Sequence, residues 1–234
     1  SWDYSSDFTS NLFDTVFYFA PSATPYANEF PQANMALEED GVYTYVIKNG
    51  SEFSIDGLLG DPFNLGQNFR LDYDPNSKQM EFPATLNSSY HTIAVVDTTV
   101  DTTLAGGFVD SVRIKQEIRT GSLIDAYGTV ILPTGTFDSL VRQIRIDTIS
   151  DSAWFHAPLG GWQLVQNQAQ FPFPNQEITY TYSWYAKNKK RAILEVQADT
   201  IDGNILTANF QLGTNLIGNF SGVQDPLCTS DANG

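Results

Sequence analysis

The stretch YGTVILPTGTFDSLVRQIRIDTISDS, from Tyr127 to Ser152, decides the fold class. GTVIL reads as one strand, PTGTFDS as a turn, and Leu140, Arg142, Ile144 and Ile146 as alternating positions of a second strand. Pro133 ends the first strand, Gly135 permits a turn conformation, and Phe137 returns an aromatic anchor to the core. The hairpin closes on Asp-Thr and Asp-Ser pairs that recur through the chain.

Outward from this hairpin the same pattern repeats. Val42, Tyr43, Tyr45 and Ile47 run into Asn49-Gly50, a strong two-residue hairpin signal, and Phe53 and Ile55 return. Phe69, Leu71 and Tyr73 alternate into Asp74-Pro75-Asn76-Ser77, predicted as a turn, and Met80 and Phe82 leave it. Residues 90–132 predict about three short strands, one with Val112, Ile114 and Gln116 opposite Arg113, Lys115 and Glu117. ITYTYSWY and RAILEVQA pair around Asn188 to Arg191, and Asp202-Gly203-Asn204 turns into ILTANFQL. The fold class expected is all-β: an antiparallel curved sheet, a sandwich or a partly open barrel. At most one or two short helices are expected, with Asp138 to Gln143 and Gln32 to Glu39 as the candidates. Residues 1–30 form an N-terminal aromatic segment, 31–222 a single all-β domain, and 223–234 the start of a linker.

Composition narrows the function classes. The 27 acids outnumber the 12 bases for a net charge of −15, which argues against nucleic acid, whose phosphates need clustered Lys and Arg. The excess favours solubility and cation binding. A chain of 234 residues buries roughly 70% of its unfolded surface. The single cysteine, Cys228, excludes an internal disulfide framework. No apolar run reaches the roughly 18 residues of a membrane helix. Ser1 is not an initiator methionine, so the chain reads as a processed or trimmed product and its missing signal peptide does not weigh against secretion.

Three stretches together resemble a group of secreted Bacteroidota proteins that carry a β-rich module upstream of a type IX secretion sorting domain. MEFPATLNSSY (Met80–Tyr90) is similar to the group's Phe-Pro, short spacer, Ser-Tyr segment. YGTVILPTGTFDSLVRQIR (Tyr127–Arg145) is similar to its Gly-Thr-x-x-Leu-Pro-x-Gly-Thr-Tyr/Phe signature. YSWYAKNKKRAILEV (Tyr182–Val196) is similar to its aromatic strand, Ala-Lys-Asn turn and Leu-Glu strand. The resemblance implies export to the bacterial cell surface or release from it, and it brings no catalytic residues. The sorting domain itself is not in this sequence.

Asp followed by Ser or Thr occurs at 8 of the 19 aspartates, where composition alone gives about two. Bacteria of the group that the chain resembles attach O-glycans at such pairs. The resemblance therefore implies acceptors at Thr15, Thr98, Thr102, Ser111, Ser139, Thr148, Ser152 and Thr200. The competing reading is that Asp-Ser/Thr starts turns through side-chain bonds to the backbone.

Three further constellations bear on chemistry. Asp72, Asp74 and Asn76 have the alternate-oxygen spacing of a calcium loop, but Ser77 stands where its Gly is expected and Pro83 where its last acid is. Apart from calcium no cofactor is expected. His91 and His156, the only histidines, lack zinc-ligand spacing. Trp162, freed by Gly160-Gly161, and Trp154 are candidates for stacking on a sugar ring, against the alternative that both are core.

The expected function is that of a non-enzymatic, exported cell-surface β domain. It would present acidic, O-glycosylated loops to other surface proteins or an extracellular polymer, for adhesion or assembly. Self-assembly would run through the N-terminal strand LFDTVFYF (Leu12–Phe19) adding to a neighbour's sheet. A carbohydrate-binding module and a half-barrel carrier of a lipid or other apolar ligand are the alternatives. An extracellular hydrolase ranks last.

Overall fold

The computed structural model describes residues 1–5, 16–62, 66, 68–101, 109–165, 176–187, 189, 191–201 and 203–210. Its thirteen strands are β1 (Trp2–Asp3), β2 (Phe17–Phe19), β3 (Met35–Glu39), β4 (Val42–Lys48), β5 (Glu52–Gly60), β6 (Phe69–Glu81), β7 (Ser89–Asp101), β8 (Ser111–Leu132), β9 (Gly135–Ala157), β10 (Gly161–Leu164), β11 (Glu177–Tyr185), β12 (Leu194–Ala198) and β13 (Ile205–Phe210). Among the described residues the one helical element is a single 3₁₀ turn, Pro21–Ala23. The fold is all-β, as expected: a curled half-barrel sheet with a second sheet beside it. No helix among the described residues is long and apolar enough to cross a membrane.

The smaller sheet runs β2-β3-β4-β5-β6. The larger one is built on the β8–β9 hairpin, in the order β1-β8-β9-β11-β12-β13, with β7 also on β8 and β10 also on β9. The hairpin strands outrun any one neighbour. β7 pairs with β8 from Ser111 to Leu123, while β1 takes Val130 and Ile131 in parallel. β10 pairs with β9 at Trp154 to Ala157, while β11 takes Val141 to Ile149.

The hairpin serves two cores on opposite faces. At its open end Val112 and Ile114 pack with Val96 of β7 under Phe69 and Leu71 of β6. At its closed end Val130, Leu132 and Leu140 pack with Trp184, Leu194 and Val196 under Trp2 and Tyr4. A strand of period two keeps its apolar residues on one face, so the change of side needs a slip in the count. Register shifts between Ile124 and Ala126 and between Gly128 and Val130 supply it. Between the cores the covered face is polar: Gln143 is 2% exposed, and Thr120, Ser122, Asp147, Thr181 and Ser183 are also buried. Thr120 donates to Asp147 at 2.6 Å and Arg145 donates to the same carboxylate at 2.7 Å, so the buried acid is partnered.

Several local expectations are corrected. The turn of the central hairpin is Pro133-Thr134 alone, and β9 begins at Gly135. That strand runs through Asp147-Thr148 and Asp151-Ser152 rather than ending there, because β8 continues the ladder along it and β11 flanks it as far as Ile149. Residues 90–132 hold two long strands in place of three short ones. Neither candidate helix forms: Asp138 to Gln143 lies in β9, and Gln32 to Glu39 is a turn leading into β3. Asp74-Pro75-Asn76-Ser77 does not reverse the chain as a hairpin turn, since β6 continues through it from Phe69 to Glu81 with a bulge. Proline is tolerated there because Ile55 pairs with Ser77 and Gly57 with Asp72, which leaves residues 73–76 bulged out of the ladder where no N–H is required.

The aromatic N-terminal segment is divided between the sheets. Trp2 meets the Trp184 ring edge-on at 5.7 Å, Phe17–Phe19 pairs with β3, and Phe30 stacks on Tyr45 at 4.4 Å. Gly57 lies against this stack, and a β-carbon there would overlap one atom of the Phe30 ring and come within 2.5 Å of the Leu71 carbonyl oxygen. Of the remaining expectations, Thr15, Thr102 and Cys228 lie outside the described residues, as does the first half of LFDTVFYF.

Candidate functional site

At the open end of the long hairpin, β9 alternates Trp154 and His156 onto the face that is covered only at the hairpin's closed end. The chain then turns through Pro158-Leu159-Gly160, with the Gly160 N–H donating to the Ala157 carbonyl at 3.0 Å. Gly161 has φ +66, a left-handed conformation that glycine adopts freely. The turn folds β10 back so that Trp162 pairs with His156 and Leu164 with Trp154. Paired residues share a face, so the four side chains form a checkerboard in which the two tryptophans are diagonal neighbours, roughly 7–8 Å apart. Trp162 is 48% exposed and Leu164 46%, while Trp154 and His156 are half-buried.

Charged groups frame these rings. The Arg113 guanidinium lies 5.2 Å from the Trp154 ring centre and binds Asp97 through both forks, at 2.8 and 2.7 Å. These hydrogen bonds hold the Asp97 carboxyl below the usual carboxylate range. His156 Nδ1 donates to Asp110 at 2.7 Å, which leaves Nε2 as the outward group on a ring 5.1 Å from Trp162. The Asp110–His156 pair has the form of the acid–base arm of a hydrolytic triad, but the neighbouring Ser111 hydroxyl donates to Asp101 at 3.2 Å. The result is an aromatic strip, with the His156 and Trp162 rings tilted by 57°, edged by planar hydrogen-bonding groups that suit stacking and polar contact.

The other singled-out residues are dispersed. Asp72 is the last paired residue before the bulge of β6, and Asp74 and Asn76 lie within it. Arg70 already binds Asp72 at 2.7 Å. Among the described residues no group of three or more His, Cys, Asp or Glu side chains is placed to hold a metal ion. Trp184 is 1% exposed, in the core. Of the eight proposed glycan acceptors, Ser139 and Thr200 are exposed, whereas Thr98, Ser111, Thr148 and Ser152 are half-buried within strands.

The recurrent aspartates have a structural role that sequence reasoning missed. Each of the seven described members bonds to a side chain or turn: Asp97 to Arg113, Asp101 to Ser111, Asp110 to His156, Asp138 to Thr129, Asp147 to Thr120, Asp151 to Gln116, and Asp199 to Asn204. Most are bonds between neighbouring strands, and their only sequence signal is the period-two placement of the acids. No protein-family model matches the chain, and no curated protein or solved structure matches it.

Proposed function

We propose that this chain is a non-catalytic adhesion domain of an exported bacterial surface protein, and that it grips an extracellular polysaccharide through the Trp154–Trp162 strip. The observation that carries the reading is the half-exposed Trp162 on the same sheet face as Trp154, flanked by the Arg113–Asp97 and His156–Asp110 pairs. Aromatic faces give apolar contact to the C–H side of a sugar ring, and the planar charged groups meet its hydroxyls. Export to the cell surface rests on the resemblance of the three sequence stretches. Glycans of the kind that resemblance implies would sit at Ser139 and Thr200, where the hydroxyls are exposed, and peptide mapping of protein from its native host tests this placement.

Pull-down on insoluble polysaccharides (cellulose, chitin, xylan) tests the adhesion reading. Retention on one of them should fall about tenfold in Trp162→Ala, as for loss of an anchor residue. Equal retention of the variant, or no retention of the natural protein on any of the three, refutes it.

Assembly is a second reading, favoured by one observation. β2 is the outer strand of the smaller sheet and leaves Phe17 50% exposed, an edge open to a neighbour's strand. Native mass spectrometry showing only monomer would remove it. A lipid carrier draws less support, because the cavity beside Met80, Phe82 and Tyr90 is about 200 Å³, the volume of roughly seven waters.

A further inference from the structure

A half-open cavity of about 200 Å³ lies on the other face of the large sheet, where β6 ends over β7, β8 and β9. Its walls include Met80, Phe82, Tyr90 and Ile124, and Ser122 and Gln143 contribute polar groups to it. Ser122 and the Trp-strip residue Arg113 are nine positions apart on β8, a separation of roughly 30 Å. The cavity is therefore a separate place from the aromatic strip.

The Gln143 carboxamide is oriented by its neighbours. Its Nε2 donates to the Gln79 carbonyl oxygen at 2.9 Å, and that oxygen can only accept. The same nitrogen lies 2.8 Å from Ser122 Oγ and 3.3 Å from the Tyr90 hydroxyl. Oε1 is left as the free end, and among the described residues no donor reaches it. Gln143 is 2% exposed, and the space it borders is this cavity. The oxygen is not sealed in the interior, so a bound N–H or O–H entering the cavity can donate to it in place of solvent.

The lining defines the ligand class. The volume equals that of roughly seven waters, room for one six-membered ring with its substituents. The aromatic and aliphatic walls need a ring face, and the serine and carboxamide groups need hydroxyls. A charged ligand finds no free counter-ion, because the rim residue Glu81 is tied to Lys78 at 3.6 Å and Lys78 also binds Glu52 at 3.4 Å. We propose that this cavity binds a single neutral hexose unit, held by an O–H donated to Gln143 Oε1 and by contact with Tyr90 and Phe82. The proposal stands apart from the reading of the aromatic strip.

The test is a series of ¹H–¹⁵N spectra during titration with methyl β-D-glucoside, methyl β-D-galactoside, methyl α-D-mannoside and N-acetylglucosamine, with p-cresol as a ring of similar size lacking the hydroxyl array. One of the sugars should give saturable shifts at the Gln143 side-chain amide and at residues 80–90 and 122–124, with affinity on the order of 1 mM for so small a ligand. Gln143→Leu should weaken it about tenfold, and Trp162→Ala should leave it unchanged. The wild-type shift map stands even if Gln143→Leu loses its fold. No saturable shifts at these residues with any sugar, or shifts there with p-cresol alone, overturn the proposal. Polysaccharide retention that survives in Gln143→Leu separates this site from the strip.

Discussion

Replacing Gly57 with alanine should destabilise the smaller sheet out of proportion to the single methyl added. The new carbon would overlap one atom of the Phe30 ring and lie 2.7 Å from the next, and it would lie 2.5 Å from the Leu71 carbonyl oxygen. Comfortable carbon contacts begin near 3.5 Å, so the ring must retreat by more than about 1 Å. Phe30 is 2% exposed and stacked on the fully buried Tyr45, so its retreat disturbs the whole cluster. Overpacking of this kind costs about 1–3 kcal/mol, and displacing the Leu71 carbonyl from the β5–β6 ladder adds about 1 kcal/mol. A total near 3 kcal/mol lowers Tm by about 6–12 °C in a chain of this size. Gly50→Ala is the control, since a β-carbon at Gly50 meets nothing within 4 Å, and it should stay within about 0.5 kcal/mol of the parent. Urea and thermal unfolding, followed by near-ultraviolet circular dichroism, read both variants. A Gly57→Ala variant within about 1 kcal/mol of the parent, or a Gly50→Ala variant equally damaged, refutes the close-packing argument.

Two further outcomes follow from the charges. Arg142 is paired through both forks to Asp125 and sits among the Trp2, Tyr182 and Trp184 rings at 5.2–5.9 Å, so Asp125→Ala strands a half-buried cation and should cost about 2–3 kcal/mol in chemical denaturation. The similar but more exposed Asp97–Arg113 pair should give an Asp97→Ala loss within the scatter of surface substitutions, and equal losses would contradict the role of burial. The Asp151 carboxyl is pushed up by burial, with Gln116's hydrogen bond opposing and Glu177 adding to the rise. A raised folded-state pKa favours folding below the unfolded value of 3.8 and loses that contribution as pH rises through the folded value. Asp151→Asn should therefore melt higher than the parent at pH 7, with the gain shrinking towards pH 4. A gain that grows on acidification counts against this.

The sequence by itself determined the class of fold and most strand positions. Alternation at Val42–Ile47, Phe69–Tyr73 and Val112–Gln116, with Asn49-Gly50 between two runs, encodes strands and turns within a few residues of chain. Those signals are local, so local reading recovers them. The identity of the partners across the sheet is not local. Asp74-Pro75-Asn76-Ser77 has the composition of a turn, yet it passes through a strand because β5 leaves a gap in the ladder there. Asp147 and Asp151 resemble strand ends, yet they lie mid-strand because Thr120, Arg145 and Gln116 reach them from positions distant in the chain or across the pleat.

The candidate sites divide in the same way. Trp162 was legible as an aromatic freed by a glycine pair, and Trp154 as a second candidate, but their shared face, and the Arg113, Asp97 and Asp110 groups around them, came from register. The cavity at Gln143 gave no sequence signal. Its walls come from four strands, and a glutamine at an inward position of β9 reads as a lapse in the apolar pattern until Gln79, Ser122 and Tyr90 are brought around it. Backbone period and turn chemistry are written residue by residue. The side on which each core forms was decided only in three dimensions, by two register slips in one hairpin that exchange the faces of everything beyond them.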